Sequence, residues 1–255
     1  MNVLPVVGSP RPPGTSTSET LLLGLARELA ARGVEVAPAV HAKHTQKPGR
    51  SLDAFVEAAE QADVVVLASP IYFDSLPYVV TATLELWADA RRARWPDRPG
   101  PKLAAFFNCG FPEKRHCDLA LEMAASFARQ AGLEWIGGAG LPAGAVVQGD
   151  AMEAAGGRAR GAVEAVAQAA EAIARAEPLP PSVQRALSQP VLPKWLYLAM
   201  ATAGWHWQAW QAGVWRQLWD RPATEPQPPP DRQHRAPGAA GRATGEPSAR
   251  GPLGS

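Results

Sequence analysis

Val3-Leu4-Pro5-Val6-Val7-Gly8-Ser9-Pro10-Arg11, with Thr15-Ser16-Thr17-Ser18 close behind, opens the 255-residue chain and decides its architecture. A short apolar run meets a turn, and a Ser/Thr-led segment then places Leu21, Leu22, Leu25 and Leu29 at helical spacing. Ser16 is a candidate cap with Glu19 three residues on. Strand, turn and helix in that order begin an α/β unit. The amides that open such a helix lack intrahelical acceptors and sit at its positive end, a favourable place for a phosphate. Gly8 permits a tight turn, Ser9 and Thr15 to Ser18 add hydroxyls, and Arg11 adds a forked cation. Gly8 has no companion glycine at the spacing of a Walker or dinucleotide fingerprint.

Outward from that turn the pattern repeats. Gly33 ends the first helix, and residues 34–40 alternate like a second strand. Residues 51–62 read as a helix, and Val64 to Leu67 as a strand buried on both faces. Helix 77–92, strand 102–108, helix 117–132, a strand from 133 to 136 and an Ala-rich helix over 151–176 complete the set. Five strands alternating with helices predict an α/β three-layer sandwich around a parallel sheet of order 2-1-3-4-5. Pro5 conflicts with a central strand, because it has no amide to give, and is expected at a bulge or where only its carbonyl is needed.

This domain is expected to span 1–177. Residues 178–221 form a Trp-rich helical extension, with six of the nine tryptophans between 183 and 219 and Trp207, Trp210 and Val214 at helical spacing. Residues 222–255 are rich in Pro, Gly and Arg, cannot bury enough apolar surface, and are expected to be disordered. Gly251 to Ser255 has the character of a vector-derived remnant.

A net charge of +1 supplies no global field for nucleic acid or an anionic membrane. No segment reaches the roughly 20 apolar residues of a membrane span, Trp195 to Trp205 being the nearest approach. The start lacks a basic leader, so a cytoplasmic protein is expected. Cys109 and Cys117 fit no metal-ligand or redox-pair spacing and read as ordinary free thiols. The aromatic face of the extension reads as packing on the domain or across a dimer interface. With only Lys194 and Arg216 as cations nearby, attachment to a membrane surface would have little electrostatic support.

Three loops can carry chemistry. The first is the turn of Ser9, Arg11, Thr15, Ser16, Thr17 and Ser18. The second, Pro70-Ile71-Tyr72-Phe73, is a stiff apolar wall on which a flat ring can stack while backbone amides meet its heteroatoms. The third, Asn108-Cys109-Gly110, offers a polar edge and, at Gly110, close backbone approach. Cys109 reads as a small filler, since the nearest histidine, His116, is seven residues away and reads equally as solvent-facing. In the 2-1-3-4-5 order these loops lie side by side. A phosphorylated ligand with a flat ring suits all three. No metal site is expected.

Gly8-Ser9-Pro10-Arg11 with its Ser/Thr-led helix, together with Ala62-Asp63 and Ala68-Ser69-Pro70-Ile71-Tyr72-Phe73-x-Ser75-Leu76-Pro77, resembles the NADPH-dependent FMN reductase family of flavodoxin-like proteins. The resemblance covers roughly residues 2–175. It implies FMN, with its phosphate on Ser9, Arg11, Thr15, Ser16 and their neighbours and its ring against Pro70, Ile71, Tyr72 and Phe73. Asn108, Cys109 and Gly110 would lie near the ring edge. It also implies NADPH or NADH as co-substrate, a small-molecule electron acceptor (quinone, azo or nitro compound, or free flavin) and a homodimer or homotetramer. The flavin then carries the chemistry and no catalytic side chain is required, in keeping with the absence of a convincing acid–base pair. The alternatives are a flavodoxin-like electron carrier, disfavoured by the missing acidic charge, and a degenerate interaction scaffold.

Overall fold

The computed structural model describes residues 1–144, 156–189 and 192–220. Its strands are β1 (Asn2–Val7), β2 (Glu35–Val36), β3 (Val40–His41), β4 (Val64–Pro70), β5 (Lys102–Asn108) and β6 (Glu134–Leu141). All pair in parallel, in the order β2-β1-β4-β5-β6, and β3 pairs with β1 further along. Counting β2 and β3 as one interrupted strand, this is the expected doubly wound order. The helices are α1 (Thr17–Ala31), α2 (Arg50–Gln61), α3 (Tyr78–Arg94), α4 (Asp118–Gln130), α5 (Arg160–Ala174), α6 (Pro181–Leu187) and α7 (Lys194–Gln211).

The near-continuous apolar runs of the strands alternate between two cores. Val3, Val7, Val64, Val66, Ala104 and Phe106 pack with α1, α5 and α6. Leu4, Val6, Val65, Leu67, Leu103 and Phe107 pack with α2, α3 and α4.

The expected second strand is broken in two, and Pro5 accounts for the break. Ala37 N donates to Val3 O, and Gly8 N donates to Ala68 O. The odd residues of β1 therefore turn their polar groups toward β2 and β3, the even ones toward β4. The amide that Pro5 lacks faces the β2/β3 side. There the chain leaves the ladder after the Ala37 amide, over Pro38 and Ala39, and pairing resumes at Val40.

Other boundaries move for packing reasons. β6 runs to Leu141 because its glycines admit what lies above it. A Cβ on Gly138 would stand 2.6 Å from Leu121 Cδ2, and one on Gly140 would stand 2.5 Å from Cys117 Cβ. A 3-10 turn, Lys114–Cys117, precedes α4. The helix expected from 151 begins at Arg160, after a 3-10 turn at Gly156–Ala159. Residues 151–155 and the tail 222–255 lie outside the described residues.

The chain divides into two compact units, Met1–Ala201 and Thr202–Ser255. In the first, Gln184 of α6 reaches back to β6, its Oε1 accepting from Gly140 N and its Nε2 donating to Gly140 O. In the second, a 3-10 turn at Trp215–Trp219 follows α7, the Trp207 and Trp210 rings lie 5.2 Å apart, and Arg216 sits over Trp215. Among the described residues no helix is long and apolar enough to cross a membrane.

At the amino edge of the sheet a buried ion pair ties α2 to α3. The Arg91 guanidinium grips both Glu60 oxygens and donates to the carbonyls of Ala131 and Arg98, while Trp87 Nε1 donates to Glu60 Oε1. Both charged side chains are almost fully buried. Removing one partner strands the other charge. Arg91→Met should therefore cost about 3–5 kcal/mol of unfolding free energy in urea titration, and adding Glu60→Met should recover part of that loss. A double variant no more stable than the single one would contradict this account.

Candidate functional site

The turn after β1 is organised by its own side chains. Ser16 caps α1 and accepts from Glu19 N, while the Glu19 carboxylate reaches back to Gly14 N at 2.5 Å. Thr15 closes a tight turn onto Pro12 O through both its amide and its hydroxyl. Ser9 Oγ accepts from Arg11 N. The hydroxyl oxygens of Ser9 and Ser16 thus accept from backbone, which leaves their protons to give to an anion. The amides of Thr17 and Ser18, in the first turn of α1, have no intrahelical acceptor.

Gly8 serves a different purpose from the one expected. Its backbone does not need a left-handed conformation. It needs room, because a Cβ there would lie 2.6 Å from Ser69 and from Val80 Cγ2. The positive φ in this loop belongs to Gly14, at +80°.

Two hydroxyls fasten the start of α1 to its neighbours. Thr17 Oγ1 donates to Gly144 O at 2.9 Å, and Ser18 Oγ donates to Asn108 Oδ1 at 2.7 Å. At the end of β4, Ile71 N donates to Asn108 O, and Tyr72 and Ser75 exchange backbone hydrogen bonds around Phe73 and Asp74. Both central residues have positive φ, +50° and +61°, a conformation that Asp74 tolerates and Phe73 disfavours. The Ile71 and Tyr72 amides are therefore already engaged. The wall offers shape rather than donors.

His116 holds that turn from the β5 side. Its Nδ1 lies 2.8 Å from Asp74 Oδ1, and its ring stacks on Phe111 at 4.5 Å between centroids. The sequence left His116 free to face solvent, but the ring is largely covered. Glu113, 3.9 Å from its other nitrogen, also meets Lys194 of α7, whose hydrogen bond holds the Glu113 carboxyl below its usual range. Tyr197, one turn along α7, donates its hydroxyl to Gly110 O. Lys43, in the 3-10 turn after β3, donates to Arg11 O at 2.9 Å and brings a second cation to the phosphate-type loop. Sequence reasoning missed Lys43, whose only signal was its place in a run with Lys47 and Arg50 and no acid between them.

Together the three loops enclose a cleft of about 310 Å³. It is lined by Ser9, Arg11, Ser16, Thr17, Ser18, Pro70, Ile71, Tyr72, Asn108, Cys109 and Gly110. Of the expected residues, Thr15 and Phe73 are not in the lining. Thr15 is turned onto Pro12, and Phe73 stands fully exposed beyond it. Gly110 has open space where a Cβ would be, as close approach of a ligand requires. Arg11 is the charged residue of the lining, and no carboxylate is among the described lining residues. Cys109 and Cys117 fit the sequence reading of ordinary free thiols, with Cys109 a small filler. Both are buried, the Cys109 thiol donating to Phe111 O at 3.4 Å and the Cys117 thiol lying 3.8 Å from Phe107 O.

The family model for NADPH-dependent FMN reductase matches residues 1–177. No curated protein matches the chain. Among solved structures it is similar to an azoreductase from Bacillus anthracis str. Sterne, at 16% identity over 66% of this chain and 99% of that one, with a TM-score of 0.45. It is also similar to an NADH:FMN oxidoreductase in its apo form, at 17% identity over 74% and 96% of the two chains, TM-score 0.48. A flavodoxin, WrbA-like protein from Agrobacterium tumefaciens gives 15% over 69% and 98%, TM-score 0.46.

Phe73 gains nothing for the fold by being exposed in a left-handed turn. Phe73→Asn, which tolerates that conformation, should raise stability by about 0.5–1 kcal/mol in urea titration. A lower midpoint would show that the ring supports the fold.

Proposed function

The chain belongs to the NADPH-dependent FMN reductase family, and on that premise we propose that the cleft formed by the loops after β1, β4 and β5 holds its FMN. As a member, the protein is an NAD(P)H-dependent flavin oxidoreductase with FMN as cofactor. The observation that carries the site assignment is the chemical division of one cleft. An anion-favouring helix start with Arg11 lies at one end, and an apolar wall with a glycine-opened edge at the other.

The phosphate is met by the amides of Thr17 and Ser18, the hydroxyl protons of Ser9 and Ser16, and Arg11. Lys43, placed by its bond to Arg11 O, adds positive potential without entering the lining. Thr15 shapes the turn rather than touching the ligand. The ring packs on Pro70, Ile71 and Tyr72, and donors to its edge are left to Asn108 Nδ2 and the Gly110 amide. Phe73 and the exposed side of Tyr72 form the rim, where the nicotinamide and then the acceptor approach.

Bound FMN supplies the hydride and electron chemistry. The protein contributes placement, a lining without carboxylates, and the shape of the rim, and no side chain has to move a proton. We assign as acceptor a small oxidised molecule, namely a quinone, an azo or nitro compound or free flavin, with NADPH or NADH as donor. A cytoplasmic homodimer or homotetramer is the assembly in which we place this activity.

Arg11→Ala should weaken FMN binding about tenfold, the equivalent of 1.4 kcal/mol, since one exposed charge-assisted contact is lost. Quenching of flavin fluorescence by the apoprotein measures it, and an unchanged dissociation constant with an unchanged unfolding midpoint would refute the phosphate assignment.

A further inference from the structure

Gly110 opens the edge of the cleft to a ligand, and the same freedom makes its backbone the loosest point of that edge. Its neighbours are tied down by the segment after β6. The Cys109 amide donates to Leu141 O, the Cys109 carbonyl accepts from Gly144 N, and the Phe111 carbonyl accepts from Ala143 N. The Gly110 carbonyl between them is held by a side chain from much further along the chain. Tyr197, in the first turn of α7, donates its hydroxyl to it at 2.5 Å.

A second contact supports the first. Lys194 and Tyr197 stand one turn apart on the same face of α7 and meet the loop three residues apart, at Glu113 and at Gly110. Of the large side chains that open the helix, Trp195, Leu198 and Met200 stand exposed, whereas Tyr197 is half-buried. Burial, with a smaller contribution from Cys109, holds the phenol above its usual range, so it stays protonated and able to donate. Glu113 in turn approaches one nitrogen of His116, whose other nitrogen meets Asp74 at the stacking wall. Tyr197 lies beyond residue 177, where the match to the family ends, so this brace comes from the chain's own extension.

We propose that Tyr197 is a positioning residue of the flavin cleft, holding the Gly110 carbonyl so that the FMN ring meets a glycine edge already set in place. The inference rests on the reading of this cleft as the FMN site. Tyr197 is not among the described residues that line the cleft. It acts through the Gly110–Phe111 peptide, whose orientation decides where the rest of the edge stands. The gain is preorganisation. An edge that is already fixed costs less to order when a ring packs against it, and less of the binding free energy is lost. One hydrogen bond of this kind is worth a factor of about five in affinity.

The test compares the full-length wild-type protein with Tyr197→Phe, which loses only the hydroxyl. Amide exchange over residues 109–113 is followed in the flavin-free protein, FMN affinity by quenching of flavin fluorescence, and folding by urea titration. Without the hydroxyl, exchange over 109–113 should quicken several-fold and FMN should bind about fivefold more weakly, with the variant still folded in the absence of urea. Trp195→Phe, which alters an exposed side chain on the same turn, should change neither exchange nor affinity. Equal affinity of Tyr197→Phe and wild type would overturn the proposal, as would weaker binding without faster exchange over 109–113, or equal losses in Trp195→Phe. A wild-type protein that takes up no FMN would instead remove the reading on which the proposal rests, so the two failures are distinguishable.

Discussion

The hydrogen bond from Ser18 Oγ to Asn108 Oδ1 joins the start of α1 to the end of β5, and the candidate site depends on that join. Parallel strands deliver their carboxyl ends to one edge, but they do not by themselves fix how a helix entrance sits against a loop two strands away. Ser18 does so from one side and Thr17, through Gly144 O, from the other. With those two hydroxyls committed to the protein, the backbone amides of the same turn remain for a ligand. A Ser/Thr-rich helix start therefore has two uses at once. Some hydroxyls fasten it, and the rest, with the amides, bind.

The opposite wall is held less comfortably. Phe73 occupies a left-handed conformation that it disfavours, at a cost of order 1 kcal/mol, beside Asp74, which tolerates one. His116 meets Asp74 from the β5 loop, and Glu113 and Lys194 continue the contacts into the first turn of α7. The rim of the cleft is thus braced by polar contacts between loops, whereas the amino edge of the sheet is bolted by the buried Glu60–Arg91 pair. Rigidity at one edge and a strained, surface-braced rim at the other suit a protein that must admit and release a donor and an acceptor in turn.

Much of this was legible in the sequence because it is local. Apolar runs set the strands, Ser16 and Glu19 set the start of α1, and strand order places the three loops together. Pro5 was seen as a conflict, but its resolution required knowing which neighbour its missing amide faces. Long-range pairs were not legible. Nothing in the spacing of Glu60 and Arg91, or of Lys43 and Arg11, marks them as partners, because the contact is made by packing of separate elements. The glycine at position 140 hinted that something close lay above β6, and Cys117 is what lies there. Phe73 was placed in the site as part of an aromatic pair. The turn that carries it points it past the cleft, a matter of φ that composition does not reveal.

The central claim is that three separate loops form one FMN site. Amide hydrogen exchange of the full chain with and without FMN tests it directly. Exchange should slow in peptides covering residues 8–19, 70–76 and 108–111, and stay unchanged in α7 and at the Glu60–Arg91 edge. Protection confined to one loop, or found chiefly outside these three, would contradict it.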